Sequence, residues 1–200
     1  MIEGQSSTRS VRSLVIACVI YFLLMPGLIP LHELAHYSCA KSYGWNANIQ
    51  SIYTTWSETP LATKPAKTVK LHCTAVGPLF DYIIALIGAA ILFSFLKSWR
   101  SNNSENILFW LASLCCVKGL RSFRIQWQGS GDELFVSQAL WRDPMLLNSW
   151  LLLVSTALLI ILLWVHFRTQ TLIQLFAAYC AGVLGVGIWI NMLGPAIFGE

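Results

Sequence analysis

Charge is what this sequence has least of: 11% of its 200 residues are Asp, Glu, Lys or Arg, where soluble domains average about 25%. With 56% hydrophobic residues and a mean hydropathy of +0.62, that scarcity argues against an aqueous globular domain and for an integral membrane protein. The basic residues are scattered over connections, among them Lys64, Lys67, Lys70, Lys118, Arg121 and Arg124, so no nucleic-acid partner is expected. Six cysteines include no CxxC pair. Most of them (Cys18, Cys115, Cys116, Cys180) sit in apolar runs and read as small buried hydrophobes rather than as disulfides or ligands. Four histidines are too few for a membrane di-iron centre, and no serine or cysteine stands in a recognisable nucleophile context. Internal repeats and low-complexity tracts are also missing.

What the chain does have is His32-Glu33-Leu34-Ala35-His36, an HExxH motif inside one of its most hydrophobic segments. On a helix, residues four apart share a face, so His32 and His36 can aim imidazole nitrogens at one metal ion while Glu33 serves the attacking water as general base. The bland reading is a hydrogen-bonded polar network tying helices together. Burying three ionisable groups in lipid is costly, however, and marks function more often than architecture.

Residues 1–12 are polar and carry Arg9 and Arg12; an apolar run follows at 13–30. No small-residue cleavage site leads to a polar start, so the run is expected to remain as a membrane helix rather than leave as a signal peptide. The full apolar stretch, 13–43, is too long for one straight crossing. Pro26-Gly27 and Pro30 predict a helix to about Met25, an irregular joint, and a second helical piece bearing the motif. After Gly44, a plausible stop, alternating stretches at 48–56 and 68–74 predict two short strands. A membrane helix is expected at 75–96, opened by Gly77-Pro78 and carrying Asp81, and another at 106–120. A polar connection at 121–143 and two further spans at 146–167 and 172–198 complete the chain. Trp99, Trp127, Trp141 and Trp164 fall near span ends, as interfacial anchors do.

The expected fold class is therefore an all-α polytopic membrane protein of about five membrane helices, with a small β-hairpin-like insert between the first two motif-bearing helices. Residues 1–200 make a single integral membrane domain, with a core at 13–140 and additional membrane helices at 144–200. The lysines and arginines of the 44–71 and 118–142 connections favour a cytosolic location for both, with the N-terminus outside and the site toward the cytosolic half.

A catalytic zinc site usually takes three protein ligands and leaves a fourth position open. The donors still available are Asp81, Asp132, Glu133, His72, His166 and Glu105, with Cys39 a remoter choice three residues beyond His36. Asp132 is preferred because it follows a membrane helix in a Gly-Ser-Gly context that allows close backbone approach, with Glu133 as the fallback. Ser-Gly-Asp-Glu is also ordinary turn and helix-start composition.

Three features in order, HELAH at 32–36, Gly77-Pro78-Leu79-Phe80-Asp81, and an aspartate near a later membrane helix, make residues 13–140 resemble the site-2 protease family of intramembrane zinc metalloproteases. Asp81 stands where the family's GPxxN-like motif has Asn, and Ser130-Gly131-Asp132-Glu133 stands in place of its Leu-Asp-Gly. No PDZ-like insert is visible, so the resemblance is to a minimal member. It implies one Zn²⁺ per chain held by His32, His36 and Asp132, Glu33 as catalytic base, and hydrolysis of peptide bonds in membrane-spanning protein substrates. An edge strand of the insert would bind the extended substrate by β-augmentation, and a regulatory membrane partner would stand in for appended domains. Two alternatives remain open: a Ste24-like membrane zinc protease with Glu133 as third ligand, and a non-catalytic metal-binding protein or transport subunit.

Overall fold

In the computed structural model, which describes residues 3–59, 64–98 and 106–199, the first apolar run is one continuous helix, α1 (Glu3–Ser42). The expected joint does not form; Pro26 and Pro30 both lie inside α1. Each proline removes one N–H, which frees the carbonyls of Phe22 and Pro26. At Phe22 another helix meets the freed oxygen. A Cβ built on Gly185 would collide with the Phe22 carbonyl and fall 3.1 Å from Cγ of Pro26, so only a glycine can bring its backbone this close and turn a Cα–H toward that oxygen. A helix break is needed only where freed groups have no other shelter, and here a neighbouring helix supplies it.

After α1 the chain turns at Gly44 (φ 75°) into β1 (Asn46–Ile49) and β2 (Thr54–Ser57), an antiparallel pair with Asn46 opposite Ser57 and Ile49 opposite Thr54. Both strands therefore lie in the earlier part of the predicted insert. The second expected strand, 68–74, is instead the opening of α2 (Ala66–Ser98). Its apolar positions at 69, 71 and 73 alternate, but Val69 and Cys73 are also one helical turn apart. Both are buried there with Ala40 and Trp45, which satisfies the 3.6-residue period instead. Gly77-Pro78 consequently sits within α2 rather than opening it.

The remaining elements are α3 (Ile107–Lys118), α4 (Arg121–Gln128), α5 (Asp132–Trp141), α6 (Leu146–Arg168) and α7 (Leu172–Ile188), which passes through a π-helical turn (Trp189–Leu193) into α8 (Gly194–Phe198). Among the described residues, four helical stretches are long and apolar enough to cross a membrane: Ser10–Ser42, Ala66–Phe95, Leu146–Arg168 and Leu172–Phe198. The apolar stretch expected as a further crossing forms α3, whose 12 residues extend about 18 Å, short of a hydrocarbon core of about 30 Å. α1 packs along α7, and α2 along α3. The core between them holds Tyr21, Leu92, Phe109, Trp110, Leu158, Val165 and Ala178. Trp127, Trp141 and Trp164 are exposed. Trp99 and the alternative donor Glu105 lie outside the described residues.

Candidate metal centre

Three elements converge on one point: the last turns of α1, the middle of α2, and the start of α5. From α1, His32 and His36 present their Nε2 atoms 3.0 Å apart. From α5, Oδ2 of Asp132 lies 3.3 Å from the first and 3.4 Å from the second. Ligands held about 2.05 Å from a tetrahedral zinc stand about 3.3 Å from one another, so the three atoms already form one face of such a tetrahedron. These residues are the only group of this kind among those described.

The outer nitrogens decide what the inner ones can do. Nδ1 of His36 lies 2.6 Å from the main-chain oxygen of Cys73, which can only accept, so Nδ1 carries the proton. Nδ1 of His32 lies 2.9 Å from Oδ2 of Asp81, a fully buried side chain, and 3.2 Å from Nη1 of Arg121. With the His32 proton on Nδ1 toward Asp81, both Nε2 atoms present lone pairs to each other and to a carboxylate oxygen, an arrangement that a cation would hold together. Acceptors behind the ring commonly orient metal-binding histidines in this way.

Charge leads to the same conclusion. Asp81 pairs with Lys118 Nζ at 3.4 Å and with Arg121 Nη1 at 2.5 Å. Arg121 also grips Glu133 through Nε at 2.5 Å and Nη2 at 3.1 Å. Burial pulls the Arg121 pKa down, but Glu133 and Asp81 beside it outweigh this and raise it above its usual value. Counted formally, with the histidines neutral, Glu33, Asp81, Asp132 and Glu133 exceed Lys118 and Arg121 by two negative charges, the charge that one divalent cation would offset. The donor set, two imidazoles and a carboxylate, suits zinc.

Gly77 is the cradle for the two rings. A Cβ there would fall 2.5 Å from Cε1 of His36 and 2.7 Å from Cε1 of His32. Glu33 is outside the donor cluster, and the hairpin holds it. The hydroxyl of Thr54 on β2 lies 3.0 Å from both the main-chain oxygen and Oε2 of Glu33 and can donate to one of them at a time. Trp56, two residues on and on the same strand face, stacks obliquely on His36 with ring centres 5.8 Å apart. His32, Glu33 and His36 are buried, whereas the Asp132 side chain is 34% exposed, so the cluster is left uncovered by protein on the α5 side.

Of the donors proposed from sequence, Asp132 joins the histidines. Glu133 does not: it points the other way, fully buried against Arg121. Asp81 orients His32 rather than facing the cluster. His72 is exposed, bonded to the Tyr43 hydroxyl at 2.7 Å. His166 is buried in the core between Ser113 (2.9 Å) and Thr171 (2.6 Å), and Cys39 lies against Cys73 with sulfurs 3.0 Å apart. Arg121, Thr54, Gly77 and the Cys73 carbonyl were not foreseen. A charge such as Arg121 beside a largely apolar stretch is a sequence signal; Thr54 and a backbone carbonyl leave none. No protein-family model, curated protein or solved structure matches this chain.

Proposed function

We propose that this protein is an intramembrane zinc metalloprotease of the site-2 protease kind, which hydrolyses peptide bonds of membrane-spanning proteins. One observation carries the reading: Asp132 of α5 and the two histidines of an HExxH helix apolar enough to span a bilayer converge at the spacing of tetrahedral ligands. Zinc bound there would supply Lewis acidity toward the scissile carbonyl and make water a nucleophile at neutral pH. Glu33, one residue along from His32, takes the proton of the attacking water and returns it to the leaving amine. Thr54 steadies the Glu33 carboxylate while it does so. The exposed side of Asp132 gives water a way in.

Transmembrane substrates are helical and keep their carbonyls in internal hydrogen bonds, so the scissile stretch must be extended before cleavage. The hairpin provides a place for it: in a two-stranded sheet each strand has one unpaired edge, available to a third strand. We place the site toward the cytosolic side, since exposed Lys41, Lys64, Lys67 and Lys70 gather at the hairpin end of α1 and α2.

The test is zinc content of the purified protein together with cleavage of a model transmembrane substrate, for wild type and Glu33→Gln in parallel. Zinc in both, with cleavage reduced by about 10²–10⁴-fold in the variant, is the expected result. Absence of zinc from wild type after metal-replete purification overturns the proposal. The reading with Glu as third ligand is disfavoured by the engagement of Glu133 with Arg121, and it predicts that metal is kept in Asp132→Ala but lost in Glu133→Ala. A non-catalytic metal site would have no need of an ionisable Glu33, and it predicts no cleavage by either protein.

A further inference from the structure

Arg121 is the most heavily engaged side chain near the metal centre and faces it from a helix that supplies no ligand. It is the first residue of α4, placed just after the Gly119-Leu120 turn that ends α3. Its guanidinium forms two-pronged contacts with Glu133, through Nε and Nη2. The remaining nitrogen, Nη1, donates to Asp81 Oδ2, the same oxygen that lies 2.9 Å from His32 Nδ1, and stands 3.2 Å from that Nδ1 itself. Nη2 also stands 3.7 Å from Oδ2 of Asp132.

We propose that Arg121 is the positioning residue of the metal centre. One rigid cation fixes both the acceptor that orients His32 and the start of the helix that delivers Asp132, and so sets the distance between the histidine and carboxylate ligands. The proposal rests on the metal-binding reading above. Apart from His32 itself, which contacts both Asp81 and Asp132, Arg121 is the side chain among the described residues of this cluster that links α5 to Asp81: Lys118 reaches Asp81 and the main-chain oxygen of Leu28, both on the α1–α2 side. Glu133 and Asp81 are fully buried, so both require a cation that can serve two carboxylates in fixed directions. A guanidinium does this through its planar fork; an ammonium of the same charge is a point donor on a flexible stem. The role therefore belongs to the shape of arginine as well as to its charge.

The experiment is titration of the full-length protein in detergent with Co²⁺ and Zn²⁺, comparing wild type, Arg121→Lys and Glu133→Gln, with circular dichroism and thermal unfolding run alongside. Cobalt reports coordination geometry through its visible absorption bands. The expected result for Arg121→Lys is a folded protein whose cobalt affinity falls by about 10–100-fold, the usual effect of removing an outer-layer partner, with the bands of a tetrahedral site weakened or shifted. Glu133→Gln keeps the arginine but weakens its grip on α5, and is expected to change in the same direction. An Arg121→Lys protein with wild-type affinity and spectrum overturns the proposal, even if its melting temperature has dropped, because that pattern means a purely structural role. Should Arg121→Lys fail to fold, Glu133→Gln decides: unchanged affinity and spectrum overturn the proposal, and weakened affinity with an altered spectrum supports it. A wild type that takes up neither Co²⁺ nor Zn²⁺ brings down the metal-site reading, and this proposal with it.

Discussion

At Gly77 there is no room for even a methyl group, because the rings of His32 and His36 already occupy the space. Gly77→Ala should push both rings off the positions their Nδ1 partners dictate. We expect at most weak metal binding and a stability loss of about 1–3 kcal/mol, the usual range for overpacking, to be measured as bound zinc per chain and as thermal unfolding. Asp81→Asn is a gentler probe: the amide oxygen can still accept from His32, but the pairs with Arg121 and Lys118 lose their charge. Metal affinity should fall by about 10–100-fold, read by competition with a chromogenic chelator. The histidine pair was legible in the sequence because an i, i+4 spacing on a helix is a local fact. Asp132 was legible only as a preference over Glu133, since the two are neighbours and nothing local says which carboxylate turns toward α1. Arg121 settles this by claiming Glu133. Of the acceptors behind the histidines, Asp81 stands out in the sequence as a charge in an apolar helix, though not as the partner of His32, and the Cys73 carbonyl leaves no local mark.

Two elements were drawn differently from the sequence, and both errors have a physical source. Proline predicts a break when its freed carbonyls have nowhere to go, and α1 stays whole where α7 covers one of them. Gly185→Val should therefore do more than crowd a helix pair: it should uncover that fault in α1, and we expect a markedly lower melting temperature, larger than that of the same change at Gly187, where a Cβ meets nothing within 4 Å. The segment at 68–74 misled because alternation over a few residues also fits one helical turn. The hairpin is confined to 46–57, around the first of the two expected strands, and the polar segment that carries Asp132 forms the short helices α4 and α5. The C-terminal end of the molecule is fastened to the hairpin as well, through the Trp189 indole N–H, which donates to the main-chain oxygen of Ser51 at 3.0 Å.

For the molecule as a whole, the proposed metal would offset the formal excess of negative charge among the buried groups around the site. Chelation should lower the unfolding temperature, and restoring zinc at a hundredfold over its dissociation constant should recover about 2.7 kcal/mol, measured by thermal unfolding with and without chelator. That the chain would form helices apolar enough to cross a membrane was legible from composition, because scarcity of charge is a property of the entire chain. The number of crossings was less so: the apolar 106–120 stretch looks like a span by content, but it forms a short helix sheltered by α2 and α6, and burial in protein asks for the same residues as burial in lipid. One small contact has a larger reach than its size. Because a hairpin threonine contacts the Glu33 carboxylate, the surface proposed to receive the substrate and the group proposed to move the proton form a single mechanical piece. A peptide that seats well leaves the base aligned, and one that drags the hairpin aside misaligns it, so a poor substrate would be bound and then released intact, with selection exerted in the turnover step rather than at the door.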